Sequence, residues 1–166
     1  MTFPIALALI DMALGADTFA GIKLGSTFVP SAWSRASDGE HIKRVTVAGL
    51  SGLVSPNVCG GKVQSLLFLA TYTNLPTFVE GEVQPVTDPA ETAAAARQIL
   101  REGLVAAGYS PVIDDTRWRR LRDGVTTSRS LQSVNCAGVG AMGTYQTCSI
   151  SLMAFDEKDY TCADGI

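Results

Sequence analysis

One long amphipathic helix, set among segments that alternate like strands, constrains this chain more than any other feature. Asp88 precedes Pro89, and Glu91 follows three residues after the aspartate. That spacing supplies an N-cap, a proline at the first helical position and a capping box. Ala96, Ile99, Leu100, Gly103, Leu104 and Ala107 then share one stripe at helical spacing. Gly108 suits a left-handed terminus, and Pro111 prevents the helix from resuming. A helix over 89–107 with one apolar stripe needs an apolar surface to lie on, and its neighbours in sequence supply a sheet.

The strand candidates follow from period-two alternation. In HIKRVTVA, residues 41–48, Lys43, Val45 and Val47 alternate with Ile42, Arg44 and Thr46. In KVQSLLFLATYT, residues 62–73, the centre is apolar on both faces, which predicts a central strand covered on two sides. Residues 126–136 and 145–155 form a strand pair joined by a glycine-rich hairpin connection. In the second of these Cys148, Ile150, Leu152 and Ala154 oppose Tyr145, Thr147, Ser149 and Ser151. Residues 78–86 extend toward a sheet edge marked by Pro85. Residues 49–61 read as loop from their glycines and Pro56, and RWRRLR, residues 117–122, as a short helix or loop. Residues 17–40 are Gly-, Ser- and Pro-rich, anchored by Phe19, Phe28 and Trp33. At the N-terminus Thr2 caps a first helix carrying Ile5, Leu9 and Met12. The expected architecture is a single α+β domain over 1–155. It has an antiparallel sheet, an N-terminal helix and one long capped helix packed on the sheet, with a polar tail over 156–166.

Composition narrows the function. Of 166 residues, 46% are hydrophobic and 17% charged, with net charge −3. Disorder needs the opposite balance, and a nucleic-acid binder working by bulk charge would be basic. So few charges suit surfaces hidden in an oligomer, because interface cores are depleted in charge. The opening run has no Lys or Arg before Lys23 and is broken by Asp11, unlike a signal peptide. It is also too short to span a membrane. Cys59, Cys136, Cys148 and Cys162 form no CxxC pair, and one histidine makes zinc improbable. Cys136 and Cys148 read as small buried apolar residues, and Cys162 as a thiol in an exposed tail. These thiols imply a reducing setting, at least during synthesis.

The motifs that could carry chemistry are few. Gly138-Val-Gly-Ala-Met-Gly143 matches the dinucleotide fingerprint by letter, but the segment after it is strand-like where a helix is required. His41, the one histidine, has no nucleophile elbow near it in sequence. Asp114 and Asp115, beside Arg117, could do acid–base work or hold a metal, but they also read as surface charge paired with arginine. Arg117, Arg119, Arg120 and Arg122 could dock an acidic partner, since arginine suits interface carboxylates. No catalytic, metal or cofactor site is expected.

IALALIDMALG, KVQSLLFLATYT, DPAETAAAARQILREGLVAAGY and TYQTCSISLMAF occur in an order that resembles phage tail terminator and tail-completion proteins. The resemblance implies a non-catalytic virion subunit forming a ring at the head–tail junction, assembled in the host cytoplasm and lacking a cofactor. Its partners would be copies of itself and neighbouring tail-tube or connector proteins, with neither a membrane nor sequence-specific nucleic acid. Arg117, Arg119, Arg120 and Arg122 would then face acids of a neighbouring copy such as Glu80, Glu82 or the 156–159 tail. A tail-tube or capsid-decoration subunit, and a small enzyme with a site near Asp114, Asp115 and Arg117 or His41, are the alternatives.

Overall fold

A computed structural model describes residues 18–75, 78–79, 82–83, 88–140 and 145–156. Strands take 57% of the described residues and helices 17%, so the fold is mostly β and the expected α+β balance is corrected. The helix expected at the N-terminus and the tail beyond Asp156 lie outside the described residues.

The chain enters through a small hairpin, β1 (Thr18–Phe19) and β2 (Ile22–Lys23), then a 3-10 turn at Pro30–Ala32 and β3 (Ser34–Arg35). Three longer strands follow: β4 (His41–Val47), β5 (Leu50–Cys59) and β6 (Lys62–Thr73). Next come a two-stranded ladder, β7 (Phe78–Val79) with β8 (Glu82–Val83), and the helix α1 (Pro89–Ala106). The chain then adds β9 (Ser110–Ile113), β10 (Arg117–Arg122), β11 (Val125–Leu131), β12 (Asn135–Val139) and β13 (Tyr145–Asp156). One sheet of nine strands holds the order β3-β4-β5-β6-β13-β11-β10-β9, with β12 also pairing β13. Every ladder in it is antiparallel.

Several expectations change. Residues 50–59 form a strand, not a loop. Gly52 is there because of packing: a Cβ would stand 2.4 Å from Cε2 of Phe68 and 2.6 Å from the Leu69 carbonyl oxygen. Pro56 lies beyond Val54, where the β4 ladder ends, so no β4 carbonyl needs its missing N–H. RWRRLR is also a strand, with Trp118 and Arg120 inward. The 78–83 segment forms its own ladder apart from the main sheet. β6 is central as expected, but among the described residues a helix covers one of its faces and not the other. On the covered side Leu66, Phe68 and Ala70 are buried, whereas Leu69 on the other is 38% exposed.

Helix α1 starts as the sequence indicates. Oδ1 of Asp88 accepts from the N–H groups of Ala90 (2.8 Å) and Glu91 (3.2 Å). It ends in a Schellman motif. The Tyr109 N–H donates to Leu104 O (2.9 Å) and the Gly108 N–H to Val105 O (3.0 Å), with Gly108 at φ 86°. The buried stripe is Pro89, Ala93, Ala96, Leu100, Gly103 and Leu104, whereas Ile99 stays 41% exposed. The stripe is therefore rotated from the expected one, toward the smaller alanines, which let the helix approach β6, β13 and β11. Beneath it lie Leu131, Ile150, Leu152 and Ala154. Phe19, Leu24, Tyr109 and Trp118 extend this core beyond the helix.

Leu100 is fully buried. Leu100→Ala should lower the unfolding free energy by roughly 2–5 kcal/mol in urea titration. Leu121→Ala, at a side chain 73% exposed, should change it by less than about 0.5 kcal/mol.

Candidate interaction surface

The sheet has one face under α1 and another that no described helix covers. Register reads the second face directly. One row across it runs Arg117, Ser130, Met153, Leu67 and Ser55. A second runs Arg119, Ser128, Phe155, Ser65 and Asn57. A third runs Ser151, Leu69, Leu53 and Arg44. Its centre is thus leucine, methionine and serine, with arginine at both flanks and no carboxylate in these rows. Leu53, Leu69 and Met153 are each more than a third exposed. Large apolar residues grouped on an otherwise polar surface mark contact sites.

The far end of the sheet carries a further apolar strip. All four residues of β9 are exposed, including Val112 (46%) and Ile113 (58%). β9 pairs with β10 alone among the described strands, so its outer backbone edge has no ladder.

The arginines divide by strand phase. Arg117 and Arg119 are exposed on the helix-free face. Arg122 is exposed beside Asp123, at 3.9 Å. Arg120 points the other way and is buried: its Nη1 donates to Ala107 O at the end of α1 (2.7 Å), and its guanidinium carbon lies 5.1 Å from the Tyr109 ring centre. A cation at a helix C-terminus is favoured by the helix dipole. Arg129, which is fully buried, also lies 5.1 Å from the Tyr109 ring centre and 5.8 Å from that of Phe19. Sequence reasoning missed Arg129 as a core residue; its phase with Leu131 was the available signal. Glu82 lies on β8, and Glu80 falls outside the described residues.

The paired carboxylates serve the turn between β9 and β10. Asp114, at φ 42°, accepts from the backbone N–H and the hydroxyl of Thr116. Those bonds, side chain first, hold its carboxyl below the usual value of 3.8. Asp115 pairs with Arg101 at 3.3 Å, and its carbonyl accepts from Arg97 and the Trp118 indole. Arg97 also donates to Gln132 O, so α1 is latched to two loops. His41 lines a shallow cavity of about 330 Å³ with Phe28, Glu40 and Ser55, and its ring meets Phe28 edge-on at 5.0 Å. Among the described residues no three His, Cys, Asp or Glu gather as a metal site, and no helix is long and apolar enough to cross a membrane. The glycine fingerprint begins within β12, and Gly140 at φ 87° leaves it; β13 follows, so it opens no helix.

The cysteine reading is corrected. Cys136 and Cys148 are opposite one another in the β12–β13 register and form a disulfide, and Cys59 is disulfide-bonded as well. Cys162 lies outside the described residues. Disulfides persist in oxidising surroundings, virion surfaces among them, so the argument for a reducing setting no longer holds.

No family model matches the chain, and neither a curated protein nor a solved structure does.

Two outcomes test this assignment of roles. Arg120→Ala should cost about 1.5–3 kcal/mol by removing a charged donor from a buried carbonyl, while Arg117→Ala stays within about 0.5 kcal/mol. Because Asp114 has a lowered folded pKa, its contribution is present above the ordinary value of 3.8 and is lost as pH falls through the folded value. Asp114→Ala should therefore lower the melting temperature at pH 7 and differ less from the parent as pH drops below about 3.8.

Proposed function

We propose that this protein is a non-catalytic structural subunit that works by contact with copies of itself, as a ring protein of a phage tail. The tail terminator at the head–tail junction is the favoured role. The observation that carries the reading is the open β9 edge, with Val112 and Ile113 exposed along it. An exposed apolar edge is prone to meet another chain; β9 is short, holds Pro111 and is bulged against β10, so its outward apolar side chains rather than a long backbone ladder would make the contact. A head-to-tail contact between one sheet edge and a different surface of the next copy closes into a ring when the rotation allows. Arg117, Arg119 and Arg122 flank that edge and would meet carboxylates of the neighbouring copy, with Glu80 and Glu82 the expected acceptors. The helix-free face, poor in charge at its centre, would meet the next component of the tube. The Cys136–Cys148 disulfide agrees with a role in a particle exposed to oxidising surroundings.

Imaging of the assembled particle tests the reading: symmetric copies of this chain around a tube or portal are expected. A particle without symmetric copies of the chain would overturn it. Arg117→Glu with Arg119→Glu should abolish incorporation into the particle while leaving the melting temperature of the isolated protein within about 2 °C, since both side chains are exposed.

A further inference from the structure

β12 is the least supported strand of the sheet. Its five residues, Asn135-Cys-Ala-Gly-Val139, are all exposed, so it contributes no side chain to the core. Only Val139 is β-branched, and Asn, Ala and Gly are poor strand formers. Among the described strands it pairs with β13 alone. β11 shares the same side of β13, but the register steps by one residue between them: Leu131 faces Leu152, whereas Asn135 faces Ser149. That bulge over 132–134 separates the two ladders, and among the described strands none lies on the outer edge of β12. An edge strand that buries no side chain gains little beyond its own ladder hydrogen bonds, since sheet stability comes largely from side-chain packing. What distinguishes this pair is the Cys136–Cys148 bond across it, at a Cα separation of 4.0 Å.

The two cysteines differ in exposure. Cys148 is fully buried beneath the helix side, while Cys136 is exposed. We propose that this disulfide is a redox-sensitive clamp. Its reduction releases β12 and opens the edge of β13 over residues 145–149, while the remaining sheet and α1 stay folded. A dithiol reductant drives the step. Its thiolate attacks the Cys136 sulfur, the Sγ–Sγ bond breaks, and Cys148 leaves as a thiolate that takes a proton. The second thiol of the reductant then displaces Cys136, so two electrons pass to the protein and the reductant becomes a disulfide. The rest of β13 does not depend on β12, because β6 pairs its inner edge from Thr147 to Phe155 and β11 its outer edge from Leu152 onward. The opened stretch is a backbone edge of the kind that accepts an added strand. This inference is independent of the ring reading and concerns the isolated chain.

The test is hydrogen exchange by mass spectrometry on the full chain. The variant Cys136→Ser with Cys148→Ala keeps the buried position apolar and leaves the Cys59 disulfide in place. Peptides covering 135–139 and 145–149 should exchange at least tenfold faster than in the parent, with those of β6 and α1 within twofold. Unchanged exchange at 135–139 would overturn the proposal, because the ladder would then hold without the bond. Global acceleration or failure to fold would overturn it too, because the bond would then support the whole domain. In the parent, stepwise reduction with dithiothreitol and alkylation should label Cys136 before Cys59, and reoxidation should restore slow exchange. Labelling of Cys136 only after global unfolding is the contrary result.

Discussion

One helix cannot cover this sheet. Eight strands side by side, each about 4.8 Å from the next, span about 34 Å from the first to the last, and a helix with its side chains is only about 10 Å wide. Helix α1 therefore serves the centre, β6, β13 and β11, and the alanines and Gly103 on its inner side bring it close. Beyond its reach the core relies on other devices: Phe19 and Leu24 from the first hairpin and its exit, and Tyr109 and Trp118 at the far end. Much of the helix-free face keeps polar or half-exposed side chains for the same reason.

The far end of the core also contains charge. Arg120 and Arg129 are both buried around Tyr109, where a guanidinium would be costly without partners. Carbonyl acceptors and aromatic faces offset that cost: Ala107 O for Arg120, Ser128 O for Arg129, and the rings of Tyr109 and Phe19. The same hexapeptide turns Arg117 and Arg119 outward. One strand thus builds a polar core on one side and a candidate contact surface on the other, with Trp118 sharing the inward phase.

Much of this was legible in the residues. The capped ends of α1 and the phase of β13 follow from local chemistry, since Asp88, Gly108 and the alternation from Cys148 to Ala154 act within a few residues. The missed parts depend on distant partners. Gly52 looks like a loop glycine until Phe68 is placed over it. The arginines of β10 mask an alternation whose inward members are one indole and one charge. Cys136 and Cys148 were visible as cysteines, but their bond requires the register of two strands. Ile99 was assigned to the helix stripe by spacing, and only packing decides that Ala93 replaces it. For the candidate surface, the sequence presents Arg117, Arg119, Arg120 and Arg122 as one surface cluster, and only the strand phase separates the buried Arg120 from the others. The apolar β9 edge was not legible, because Pro111 reads as a helix stop.

The topology also sets an order of events. β13 joins β6 across more than seventy intervening residues, as the bond from the Thr73 hydroxyl to Gln146 O illustrates. Closing so long a loop is entropically slow, and contacts of high sequence separation lower folding rates. The partners on the other edge of β13, β11 and β12, are near it in sequence and form without that search. The C-terminal strands are thus the local unit onto which β4, β5 and β6 must dock, and helix α1, lying between the two groups in sequence, is the connector that spans their junction. In a growing chain the β6 edge that meets β13 stays unpaired until β13 itself has emerged.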